Sequence, residues 1–142
     1  MSEQQQSTTE EQEEHQPTRI SGKSAQRAAT WFNYGNIVAV LIPLPLFIFW
    51  TGMSMLIYAL NRHHPNPKVG YYTQQAAYRF YAIAGAAVAA AIFATGLTYY
   101  LVVWIIAAIV LIPWSIYDLY RIKHDTWEDS FTEPPEQFED HK

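Results

Sequence analysis

His63 and His64 are adjacent histidines inside "NRHHPNPKVGYY", Asn61 to Tyr72. A histidine pair could ligate a metal or haem. Neighbouring residues on a helix point about 100° apart, however, and no acid or cysteine lies close in sequence to complete a site. Beside Pro65-Asn66-Pro67 the pair reads instead as part of a hydrated interfacial loop. Ser54 and Ser115 lie in apolar runs, with no histidine placed to activate either hydroxyl. No HExxH, GxSxG or glycine-rich phosphate loop occurs. The chain has no cysteine, which excludes disulfides, thiolate metal sites and a cysteine nucleophile. The expectation is a non-enzymatic protein with no catalytic, cofactor or metal site.

The charged residues are informative by where they are missing. All 13 acids lie at Glu14 or before and at Asp118 or after, so none falls between His15 and Tyr117. Half of the chain is apolar, yet its mean hydropathy is near zero. Such segregation is foreign to a soluble domain, whose helices carry charge on their outer faces. Long uncharged runs read as membrane spans, where an isolated charge costs several kcal/mol. The first 15 residues are acidic and glutamine-rich, unlike a secretory signal.

Three further sets of side chains could bind something. Small residues recur at spacing four in "GAAVAAAIFATG": Gly85 with Ala89, and Ala86 with Ala90 and Ala94. Such stripes let helix backbones approach closely. The preferred reading is packing against the next helix of the same chain, and the alternative is docking of a partner helix or a second copy. Arg62, Lys68, Arg79, Arg121 and Lys123 are candidates for holding anionic lipid, with Arg79 snorkelling toward headgroups. Asn33 and Asn36 could bridge helices by hydrogen bonds or face a cavity, bridging being preferred. Aromatics cluster at span ends (Tyr71, Tyr72, Tyr78, Tyr81, Trp114, Tyr117, Tyr120 and Trp127 at one, Tyr99, Tyr100 and Trp104 at the other), as an interfacial belt. No nucleic-acid site is expected. The partners expected are the lipid bilayer and other membrane proteins or further copies of the chain.

The elements that position these residues follow from the apolar runs. Residues 1–23 read as a disordered acidic, glutamine-rich tail, 24–121 as a transmembrane helical domain and 122–142 as an acidic cytoplasmic tail. The run from Ser24 to Leu60 is interrupted by Pro43 and Pro45. As one helix it would be roughly 55 Å long, too long for a single crossing without strong tilt. Pro45 cannot donate a backbone hydrogen bond, pushes Leu44 out of the helical region and suits the first turn of a new helix.

A single span puts Arg19, Lys23 and Arg27 on one side, and Arg62, Lys68, Arg79, Arg121 and Lys123 on the other. A hairpin at the prolines puts all eight on one side and none opposite, the better fit to the positive-inside tendency. A kinked single helix is the alternative. The expected fold is therefore all-α integral membrane, with four short helices over about 24–42, 45–60, 74–96 and 98–120. Both termini are expected in the cytoplasm of a bacterial inner membrane.

This layout resembles a known family. Pro45, Leu46 and Trp50 form a "P-L-x-x-x-W" element in a short helical hairpin. A basic, proline-containing loop follows, then "YYTQQAAYRFY", and the chain closes on "WSIYDLYRIKHDTW". From about Ser24 to Trp127 this is similar to small four-helix bacterial membrane proteins of unknown function, related to the membrane subunit of the chloroplast inner-envelope import machinery. Gln75, Ala76 and Phe80 correspond to part of that family's loop pattern, whose acid is absent here. The resemblance implies four membrane helices and, as an alternative to an accessory or assembly role, an oligomeric channel or translocon-like component. It implies no catalytic residues.

Overall fold

The computed structural model describes residues 18–42, 46–93 and 96–132. Among these, four helices make up nearly all of the regular structure: α1 (Gly22–Leu41), α2 (Leu46–Arg62), α3 (Pro67–Phe93) and α4 (Leu97–His124). The turn at Pro43, Leu44 and Pro45 and packing candidate Ala94 lie outside the described residues, as do the outer parts of both tails.

α1 and α2 pack against each other in opposite directions, Asn36 meeting Trp50 and Ala28 meeting Asn61. The Trp50 indole donates to Asn36 Oδ1 at 2.9 Å, and the Trp50 ring meets Phe32 edge-on at 5.6 Å between centroids. Residues so close in sequence meet in this way only if the two helices lie side by side. Gly35 makes the approach possible, since a Cβ there would land inside the Trp50 ring.

Two helix boundaries differ from expectation. α3 begins at Pro67, seven residues before Gln74, where the sequence reads as a polar loop. Proline at the first helical position is compatible with a helix, because its missing N–H would be unpaired there anyway. Asn66 supplies the cap: its Oδ1 accepts from the Lys68 N–H at 3.1 Å and its carbonyl from Val69. α4 runs through Pro113 and on to His124, a turn beyond Tyr120. Pro113 removes one bond of the helical ladder and faces outward. The turn before α4 is made at Gly96, whose φ of 128° favours glycine.

The nearer parts of the two tails are also folded. Arg19–Ile20 (β1) pairs antiparallel with Ser130–Phe131 (β2), tying the entry to α1 to the exit from α4. Ser21 caps α1, its hydroxyl accepting from the Ser24 N–H at 3.3 Å.

From this clasp the core runs along the whole of α1, to Val40, and stops short of the outer end of the α3–α4 hairpin. Phe32, Val40, Ala76, Ala77, Phe80, Ala84 and Leu111 form its main cluster. Burial ends at Ala84 on α3 and begins again at Ala107 on α4. The reason is length: α3 and α4 have 27 and 28 residues against 20 and 17 for α1 and α2. At about 1.5 Å per residue the α3–α4 hairpin is longer by roughly 10 Å or more. α3 and α4 are each long and apolar enough to cross a membrane.

Candidate functional site

Polar side chains recur at four levels inside the base of the bundle. The outermost level closes the clasp. Lys68 on α3 donates to Asp125 Oδ1 at 2.7 Å and to the Thr126 carbonyl at 2.6 Å, and the Tyr72 hydroxyl donates to Asp125 Oδ2 at 2.9 Å. Asn66 Nδ2 donates to the Glu128 carbonyl at 3.1 Å. Arg19 forms an ion pair with Asp129, whose other oxygen accepts from the Gly22 N–H at 2.8 Å. Hydrogen bonds from Lys68, followed by that from Tyr72, hold the Asp125 carboxyl below the usual range. Those from Arg19, followed by Gly22, do the same for Asp129.

One level further in, Asn61 Nδ2 donates to Thr73 Oγ1 at 3.1 Å and to the Ala28 carbonyl at 3.3 Å, joining α2 to α3 and α1. Deeper still, Asn36 accepts from Trp50 and donates to the Ala76 carbonyl at 3.4 Å, bridging α1 to α2 and α3. Ser54 and the Tyr81 hydroxyl share a hydrogen bond at 3.1 Å.

The fourth element is an ion pair between Arg79 on α3 and Asp118 on α4, with the Asp118 side chain 1% exposed and that of Arg79 20% exposed. Arg79 also donates to Gln75 Oε1 at 3.0 Å, and its guanidinium lies 4.8 Å from the Trp114 ring centroid. Asp118 Oδ1 and both polar atoms of the Asn33 side chain are buried without a hydrogen-bond partner among the described residues. The sequence groups Asp118 with the C-terminal acids. It is in fact a buried charge of the bundle, on α4 where that helix faces Arg79.

The expected binding residues separate into distinct environments. Arg79 and Lys68 are ion-paired rather than directed to headgroups. Arg121 lies over the Tyr72 and Tyr117 rings, at 5.4 and 5.9 Å from their centroids. Arg62 is exposed at the end of α2. Lys123 lines a groove between α1 and α4 together with Lys23 and Arg27.

Most of the described part of the small-residue stripe faces away from the core. Gly85, Ala86 and Ala89 are exposed and Ala90 is half-buried, and nothing lies within 4 Å of a Cβ built on Gly85. The small residues packed in the core are Ala76, Ala77 and Ala84 on the preceding turns. His64 accepts the Asn66 N–H at 3.1 Å and serves the loop before α3. Among the described residues no group of three potential metal ligands forms around it.

Compared with known proteins, the chain matches no family model, no curated protein and no solved structure.

Proposed function

We propose that the chain is a small multi-pass protein of a bacterial cytoplasmic membrane, with both termini in the cytoplasm, acting as a non-enzymatic accessory or assembly subunit. The observation that carries the membrane reading is the apolar ring around the bundle. Large apolar side chains are exposed on every helix, among them Trp31 on α1, Ile48 on α2, Phe93 on α3 and Ile109 on α4, the last three at 67%, 88% and 67%. A soluble monomer rarely exposes apolar surface so continuously. The basic residues gather at the clasp end, which supports placing that end in the cytoplasm.

The interaction role rests on the outer part of the α3–α4 hairpin. None of its described residues from Gly85 to Ile106 is fully buried, and its small-residue face is open to an approaching helix. The test is crosslinking in native membranes followed by purification in mild detergent. The parent is expected to give a discrete complex with a partner or a second copy. Gly85→Leu and Ala89→Leu are expected to lose it while unfolding at the same temperature as the parent. A parent that is only monomeric, with no co-purifying protein, contradicts the reading.

A translocon-like transport component is the second reading, in line with the family resemblance. It is favoured by the buried polar atoms of Asp118 and Asn33 that have no hydrogen-bond partner among the described residues, since such groups in a folded protein call for an explanation. Proteoliposomes with no solute flux or conductance would remove it.

A further inference from the structure

We propose that the groove between α1 and α4 at the clasp end binds an anionic phospholipid, its phosphate held by Lys23, Arg27 and Lys123. The inference rests on the membrane reading above. The groove encloses about 630 Å³, within the range of small-molecule sites and large enough for a headgroup with the first part of its acyl chains.

Its two walls are helix faces in register. Lys23, Arg27, Thr30 and Tyr34 recur along α1, and Ile116, Leu119, Tyr120 and Lys123 along α4. The spacing of three and four puts each set on one stripe. Gln26 at the groove donates to the Ile122 carbonyl at 3.1 Å, so the walls are fixed to each other.

The chemistry is graded along the groove. Its cations lie toward the clasp, at the start of α1 and the end of α4. Its apolar contacts, Ile116 and Leu119, lie deeper toward the bundle, with the tyrosines 34 and 120 on its walls. None of the three cations forms an ion pair with a described residue, whereas Arg19, Lys68 and Arg79 all do. Three unpaired positive charges above an apolar floor complement a phosphate attached to hydrocarbon. A soluble phosphate would leave the floor uncovered, and a zwitterionic lipid would leave net positive charge.

The experiment reconstitutes the full chain into nanodiscs of phosphatidylcholine containing a minor fraction of phosphatidylglycerol, and measures the lipid retained on the protein by native mass spectrometry. The parent is expected to enrich phosphatidylglycerol. Each of Lys23→Gln, Arg27→Gln and Lys123→Gln should weaken its retention roughly fivefold, and the triple variant on the order of 100-fold. Arg19→Gln, outside the groove and ion-paired with Asp129, should leave it unchanged, and Lys23→Arg with Lys123→Arg should preserve it.

Equal retention of both lipids by the parent, or undiminished phosphatidylglycerol on the triple variant, overturns the site. Displacement by inorganic phosphate but not by chloride at equal ionic strength assigns the groove to a soluble anion and also overturns it. A zero-length crosslink from Lys123 to a carboxylate of the chain's own tails that persists in anionic nanodiscs makes the tail the occupant, with the same consequence. Failure to enter nanodiscs at all would count against the membrane reading, whereas entry without lipid preference counts against the groove alone.

Discussion

The buried pair between Arg79 and Asp118 makes an asymmetric prediction. Asp118 is 1% exposed and Arg79 is 20% exposed, so the two partners differ in what they can do when left alone. Arg79→Leu strands a carboxylate shielded from water, left with only the Arg121 charge acting on it and no hydrogen-bonded cation. Removing one partner of a buried pair in this way costs about 3–5 kcal/mol. The substitution also removes the cation over Trp114, a contribution of about 0.5–2 kcal/mol contained in that figure.

Asp118→Asn is milder. Arg79 keeps Gln75 and the Trp114 face, and its partly exposed end can turn to solvent, so the cost should be about 1–3 kcal/mol. Replacing both residues by leucine should return stability to within about 1–2 kcal/mol of the parent, since apolar substitutes for a buried pair are often neutral. Reversible unfolding in mixed micelles, followed by tryptophan fluorescence, measures the parent, Arg79→Leu, Asp118→Leu and the double leucine variant, which close the cycle, with Asp118→Asn alongside. A coupling of about 2 kcal/mol or more is expected. An Arg79→Leu cost below about 1 kcal/mol, or a double variant as unstable as the sum of the singles, would refute a structural pair buried between α3 and α4.

Other substitutions separate packing from open surface. Gly35→Ala should cost about 1–3 kcal/mol by driving Trp50 off Phe32 and Asn36, whereas Gly85→Ala, with open space around it, should be neutral or stabilise by up to about 1 kcal/mol in the same unfolding assay. Asn36→Leu should destabilise by about 1–3 kcal/mol because it leaves the Trp50 N–H unpaired, while Asn33→Leu should be neutral or stabilising because its polar atoms have no partner to lose. For the clasp, Asp125 and Asp129 titrate below their ordinary value of 3.8 when folded, so their contribution is complete above that value and is lost as pH falls through the lower folded values. The protection factors for hydrogen exchange at the Gly22 and Thr132 amides, measured against the intrinsic rate at each pH, should therefore hold down to about pH 4 and fall below it; loss of protection between pH 5 and 7 would point to a different titrating group.

Much of the helical layout can be read in the chain, because a span without charge leaves a long mark. α3 and α4 fall where the uncharged runs are, and the break at Pro43 and Pro45 coincides with the end of α1 and the start of α2. Other features depend on contacts that no local pattern records. Pro67 reads as a loop breaker and is a helix start, because the same missing N–H suits both roles. Two-residue strands have no periodicity to detect, so the pairing of Arg19–Ile20 with Ser130–Phe131 emerges only in three dimensions. Asp118 looks like the first acid of a tail until α4 is seen to continue past it and Arg79 to face it. The alanine stripe shows the limit of small-residue spacing: it marks a face able to pack, while which face packs is settled by Phe32, Phe80 and Leu111.

The central claim is a four-helix membrane bundle with its termini and central loop on one side. The chain has no cysteine, so single cysteines report position without background. His63→Cys, Thr126→Cys and Tyr99→Cys can be probed with a membrane-impermeant thiol reagent in intact and in opened cells. The account predicts that positions 63 and 126 label only after opening, and position 99 from outside in intact cells. Labelling of position 63 from the side opposite to position 126, or recovery of the protein in the soluble fraction, would contradict it.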